Sequence, residues 1–301
     1  MPSGNFFKAA LDKGAGPSLG YWQMMPSTNI SRMLAQTPGC DWVLIDCEHG
    51  DLDGSWTEPH STTVTDYEQI EICASASQPL QQLAHRRLCG SRVQSHGSLS
   101  VKSTKKICFH VTDHLPGALD AGAHGILVPL LQTAQEARDI VRAAKFPPMG
   151  NRGFGSPFSM DCFKPVPTSD EYLQQANDCL LTLVQIETKS ALDNLEEIAA
   201  VEGIDVLFIG PFDLGNSIGY PILNGVVKPE LKAAISRILE VSRKAGKKCG
   251  IYSASGEQAK GYIEAGFDMV HVGTDFSMLQ QATRAEMGTA QGKDLGKRVG
   301  Y

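Results

Sequence analysis

No stretch of this 301-residue chain reaches the roughly 18 consecutive apolar residues that a membrane-spanning helix needs. The N-terminus, MPSGNFFKAALDKGAG, lacks both a long apolar core and a small-residue cleavage pattern, so no export signal is read there. No basic run or basic face occurs, and the net charge is −6, which argues against nucleic acid as a partner. The eight cysteines are scattered, with no CxxC and no cysteine–histidine pairs at zinc spacing. They read as free thiols in a reducing compartment, and the expected location is the cytoplasm.

What is present suits one large soluble domain. Hydrophobic residues make up 42% of the chain and charged residues 20%. Short apolar runs alternate with helical patterns. The candidate strands are 19–24 (LGYWQM), 41–47 (DWVLIDC), 125–131 (GILVPLL), 181–187 (LTLVQIE), 205–211 (DVLFIGP), 248–252 (KCGIY) and 269–275 (MVHVGTD). They are apolar on both faces, as parallel strands covered on both sides must be. Between them, 133–145 and 229–246 carry apolar residues at helical spacing, and 229–246 and 257–266 both end in glycine. The alternation predicts an α/β fold, a single (β/α)8 TIM barrel spanning 1–301.

Seven strands are legible. The remaining one, third in order, belongs in 51–117, where the pattern collapses. SWTEPHSTTVTDYEQ and HRRLCGSRVQSHGSLSVKSTKK have no sustained period, and KICFHV at 106–111 is the only strand candidate. The third strand is therefore expected to be absent or disturbed. The stretch is read as an irregular insert or as a mistranslated segment, from a retained intron or a shifted frame. QPLQQLA at 78–84, read two nucleotides later, can encode Ala-Val-Ala-Ala-Ile.

The chemistry lies at the strand ends. Asp46, Glu48 and His49 follow one strand, Glu187 ends another, and Asp213 follows the next. In a parallel barrel all these ends share one face, where such folds place their sites. Each residue alone has a plainer reading: Asp213 as a helix cap, Glu187 as a cap or ion pair, His49 as a surface residue, Asp46 as an acceptor of backbone N–H bonds. Together they predict an oxygen-lined site for Mg²⁺ or Mn²⁺, with Glu48 in a supporting role. The glycine-rich loop PPMGNRGFGS, with Arg152, reads either as a flexible loop or as part of the site rim. The C-terminal segment 276–291 is helical in pattern and packs either on its own barrel or on a partner.

WVLIDCEHG, ALDAGAHGILVPLL, FPPMGNRGFGS, LVQIET, DVLFIGPFDLGNSIG and the final VHVGTD resemble the HpcH/HpaI aldolase family over roughly 5–50 and 117–290. The resemblance implies a barrel of the pyruvate/phosphoenolpyruvate type and a divalent metal: Mg²⁺, Mn²⁺ or Co²⁺. It implies reversible aldol chemistry on 2-oxo acids and aldehydes, and a homo-oligomer, commonly a hexamer. Carried over by position, Glu187 and Asp213 become metal ligands, and His49 becomes a base acting through water, with Asp46 orienting its imidazole. Gln185, Gly210, Pro211 and Arg152 become substrate contacts. The family's third strand reads approximately V-R-[IV]-P, and no such motif occurs here. Arg86, Arg87 and Arg92 are nearby, but none is carried over. The expectation is a metal-dependent aldolase of weak or no activity. The alternatives are a CoA-ester lyase of the citrate lyase type and a degenerate, non-catalytic barrel.

Overall fold

A computed structural model describes residues 5–14, 16–50, 70–74 and 115–296. Eight parallel strands close a barrel in chain order. They are β1 (Ser18–Gln23), β2 (Trp42–Asp46), β3 (Ile70–Ala74), β4 (Gly125–Val128), β5 (Leu181–Ile186), β6 (Val206–Ile209), β7 (Lys248–Ile251) and β8 (Met269–Thr274). Sequential parallel neighbours require a crossover between each pair, and helices supply those that are described.

A strand does occupy the third position. β3 pairs in parallel with β2, Trp42 opposite Ile70 and Asp46 opposite Ala74, and with β4 through Ile72 and Gly125. It lies within 51–117, where one was expected to be absent or disturbed. The KICFHV candidate and most of that segment fall outside the described residues. IEICA is interrupted by Glu71 and is not bounded by helical pattern, so it does not stand out as an apolar run.

Two apolar layers follow from the pleat. Trp42 and Leu44 of β2, Leu183 of β5, Phe208 of β6 and Met269 of β8 pack together inside the barrel, joined by Phe7 and Leu11 of the N-terminal helix. Their strand neighbours Val184, Ile186, Leu207, Ile209 and Val270 face the surrounding helices. The alternation is the period of two that a strand imposes. Gly20 makes room for the indole of Trp42: a β-carbon there would stand 2.1 Å from the ring. The strand starts are tied down separately. The Asn5 amide donates to the carbonyls of His124 and Cys179, and the Lys145 ammonium donates to those of Asn177 and Leu180.

The helices form where their signals stand. Ala134–Ala144 and Ser169–Cys179 both begin with capping boxes, Thr133 with Glu136 and Thr168 with Glu171. Pro229–Lys244 has proline in its first turn, and Gly256–Ala265 stops at Gly266 in the left-handed conformation. The C-terminal helix Asp275–Gln291 buries only Asp275 and Gly288 and leaves Phe276, Leu279 and Met287 exposed.

Candidate active site

Asp46 ends β2 and is 2% exposed. Its Oδ2 accepts from the Trp22 indole N–H at 2.7 Å. Its Oδ1 accepts the backbone N–H groups of Glu48 at 2.8 Å and His49 at 2.9 Å. The carboxylate therefore folds the Cys47–His49 turn back over the strand end. It grips the backbone of His49 and does not hydrogen-bond the imidazole, which corrects the orienting role expected of Asp46. Its strong acceptor positions are already taken by three N–H donors. The His49 ring is more than half exposed, and its Nε2 stands 3.7 Å from Glu48 Oε2.

Across the mouth, Glu187 follows β5 directly and is 2% exposed. Leu130 donates its backbone N–H to Oε1 at 2.8 Å, and Gln185 donates its side-chain amide to Oε2 at 2.6 Å. Burial pushes the carboxyl up to about 8, and the charges of Asp213 and Glu48 push the same way; the hydrogen bonds from Leu130 and Gln185 only partly oppose them. Asp213 lies in the first turn of the helix Pro211–Ser217, which follows β6. It does not cap that helix: Gly210 is the N-cap, with no side-chain cap bond. Gly210 has to be glycine because a β-carbon there would lie 2.3 Å from Glu187 Oε2 and 2.9 Å from Gln185 Nε2.

The electrostatics ask for a cation. The charges of Glu48 and Asp213 both act on the buried Glu187. Among the described residues no ammonium or guanidinium pairs with Glu187 or Asp213. No group of three or more histidine, cysteine, aspartate or glutamate side chains is arranged to hold a metal among those residues. The donor set on offer is thus two carboxylates, Glu187 and Asp213, with the other positions open. All-oxygen ligation of that kind fits a hard divalent ion that keeps water or substrate oxygens.

Below this pair the barrel is aromatic. Trp22 packs against Phe208, Tyr252 and His271, and Tyr252 stacks on His271 at 4.2 Å. His271 is fully buried, and burial pushes its imidazole down to about 4, so it is neutral near pH 7. Sequence reasoning passed over two residues here. Trp22 was hidden in an apolar run. Asp275, just after β8, accepts from the N–H groups of Met24 and Met25 and so joins the ends of β1 and β8.

Arg152 is not on this rim. Its backbone N–H donates to the carbonyl of Lys145, whose ammonium reaches Leu180 just before β5 begins. That places Arg152 at the opposite end of the barrel. There its guanidinium is buried, paired with Asp120 at 2.7 Å, bonded to the Tyr172 hydroxyl and stacked over Phe146 at 4.7 Å. A glycine-rich loop with one arginine does not reveal which end of a barrel it serves. Asp46, His49, Gln185, Glu187, Gly210, Pro211 and Asp213 all lie at the strand ends that form the mouth.

Comparison with known proteins places the family and the fold. Residues 101–282 match the family model described as HpcH/HpaI aldolase/citrate lyase. A Shigella flexneri protein named 4-hydroxy-2-oxo-heptane-1,7-dioate aldolase is 36% identical over 282 residues, 93% of this chain and 91% of that protein. The crystal structure of an HpcH/HpaI aldolase/citrate lyase family protein from Burkholderia cenocepacia J2315 is 26% identical. It superposes with a TM-score of 0.76 over 96% of this chain and 99% of that one. Macrophomate synthase shares the fold, at 22% identity and a TM-score of 0.72, over 96% of this chain and 88% of its own. This chain belongs to the HpcH/HpaI aldolase/citrate lyase family.

Proposed function

We propose that this chain is a metal-dependent aldolase that cleaves, and in reverse forms, 4-hydroxy-2-oxo acids by way of a pyruvate enolate. The observation that carries the reading is the buried Glu187 carboxylate, which faces other acids and receives only neutral N–H donors. Glu187 and Asp213 would hold the ion, Mg²⁺ or alternatively Mn²⁺ or Co²⁺. Such an ion, when bound, withdraws electron density from a 2-oxo acid and acidifies the adjacent carbon.

The remaining work falls to the chain. In cleavage, His49 takes the C4 hydroxyl proton through a water. The C3–C4 bond breaks, the aldehyde leaves, and the electron pair stays on C3. The proton then returns to C3 to give pyruvate. Asp46 holds the His49 backbone in place. Gln185 uses its second N–H and its carbonyl oxygen toward the substrate. Gly210 and Pro211 open the turn whose following amides receive the substrate carboxylate.

The aldolase name of the Shigella flexneri relative favours this reading over a CoA-ester lyase. Cys40, Cys179 and Cys249 are free thiols, which supports a cytoplasmic location. The exposed apolar side chains of the C-terminal helix support a homo-oligomer, a hexamer on family resemblance.

The test is calorimetric titration of Mg²⁺ and Mn²⁺ with oxalate present, alongside an assay for pyruvate release. The parent is expected to bind either ion, and Glu187→Gln to lose it. A parent that binds neither ion ends the reading.

A further inference from the structure

We propose that Leu130 is a positioning residue, whose left-handed backbone aims its amide at Glu187 and so fixes the carboxylate for the cation. This rests on the metal-dependent reading above.

Leu130 follows β4 and has φ +55, one of two non-glycine residues with positive φ among those described. A γ-branched L residue is strained there, and glycine is the usual occupant. Strain of this kind persists only where the surroundings over-determine it. Here they do. Leu131 is buried, 2% exposed, and its carbonyl accepts from the Thr188 hydroxyl at 2.8 Å. The Gln132 carbonyl accepts from Ser190 and Asn194, both at 3.2 Å. The Gln132 and Thr133 N–H groups donate to Glu136, which belongs to the capping box of the next helix. So the segment after Leu130 is clamped to Thr188 and to the short helix Lys189–Asp193, which follow Glu187 directly.

The strained turn has one visible product. It points the Leu130 N–H at Oε1 of Glu187, 2.8 Å away. The Leu130 side chain does not explain the strain, since it is 46% exposed. With Oε1 held by Leu130 and Oε2 lying against Gly210, the carboxylate has one orientation. An unanchored Glu187 would have to be ordered each time the ion arrived, and the binding would be weaker for it.

The experiment compares Leu130→Gly, Leu130→Ala and Leu130→Val in the full chain by Mn²⁺ titration calorimetry. Glycine accepts positive φ and keeps the amide, so its Kd is expected to stay near the parent's. Alanine keeps both the turn and the N–H, and should do the same. Valine, β-branched and intolerant of this conformation, swings the amide away and should weaken Mn²⁺ binding about tenfold or more. A role in stability alone would lower the melting temperature of the valine protein and leave its Kd unchanged, and that result overturns the inference. If the valine protein does not fold, amide exchange at Leu130 in the metal-free chain decides. Protection that falls in Glu187→Ala supports the contact, and unchanged protection overturns it. Failure of the metal reading itself shows in the parent, which would bind no Mn²⁺, and both ideas then fall together.

Discussion

Gly210 and Glu187 are in contact at the ends of neighbouring strands: the space a β-carbon would take on Gly210 is the space Glu187 Oε2 fills. Gly210 has φ −97, which any residue adopts, so Gly210→Ala puts no strain on the backbone. Its whole effect is a push on Glu187 and Gln185. The expected result is a loss of at least about tenfold in Mg²⁺ or Mn²⁺ affinity, since about 1.4 kcal/mol of displaced contact suffices. The melting temperature of the metal-free protein should move by only a few degrees, about what 1 kcal/mol does in a chain of this size. Equal affinity in the two proteins would mean that the Glu187 carboxylate is not where the ion binds.

The raised Glu187 pKa makes a signed prediction about pH. Folded, the group titrates near 8; unfolded, it returns to the ordinary glutamate value. Between those values the folded metal-free chain holds a proton that the unfolded chain has lost, so stability falls as pH rises toward 8. His124 and His271 act in the opposite sense at lower pH. Burial holds both near 4, so the unfolded chain takes up their protons first, and stability is lost as pH drops from about 6.5 toward 4. As pH climbs from about 6.5 to 8 the histidines of the unfolded chain lose their remaining protons and their contribution fades, so the glutamate slope comes to dominate toward the upper end. Thermal melts of the metal-free chain should show a falling midpoint across that window, and Glu187→Gln should flatten it. Metal affinity should rise over the same window, because the ion displaces a proton.

Trp22 gives a third expectation. Its N–H to Asp46 is a hydrogen bond to a charged acceptor inside the protein, worth about 1.5–3 kcal/mol. Trp22→Phe keeps most of the aromatic packing against Tyr252 and His271 and removes only that donor. Asp46 then holds the His49 turn less firmly. The turnover number should fall about tenfold, with KM for the 2-oxo acid nearly unchanged. A variant whose kcat matched the parent's would show that the indole N–H does not steady the catalytic turn.

The legibility of this chain follows from where its periods are long. Seven strands could be read because each is an apolar run bounded by helical pattern, and β2 through Asp46 announces itself by the acids that follow. The acids at the mouth were legible for a topological reason: parallel strands bring their ends to one face however far apart they lie in sequence. The partners of those acids were not. Nothing local in the sequence says that Asp46 faces Trp22, or that Leu130 adopts positive φ beside Glu187, because both depend on neighbours brought in by barrel closure. Arg152 was misplaced for the same reason, since its loop serves the end where the helix Ala134–Ala144 finishes.

The final prediction concerns turnover. The family resemblance calls for an arginine on the third strand to stabilise the enolate oxygen. β3 reads IEICA, with Ala74 in register with Asp46, and it carries no arginine. Arg86, Arg87 and Arg92 lie outside the described residues. Removing one donor from a developing oxyanion costs about 10²–10³ in rate, or about 2.7–4 kcal/mol. Binding of the ion uses other groups, Glu187 and Asp213, and should be spared. The two measurements should therefore separate. Calorimetry should find a divalent site that Glu187→Gln abolishes, while metal-dependent pyruvate release runs about 10²–10³ below that of the Shigella flexneri relative assayed beside it. A rate within about tenfold of that relative would mean that this chain supplies the missing donor from elsewhere. In that case Arg86→Ala, Arg87→Ala and Arg92→Ala, assayed one at a time, would identify it by the variant that loses turnover and keeps the ion.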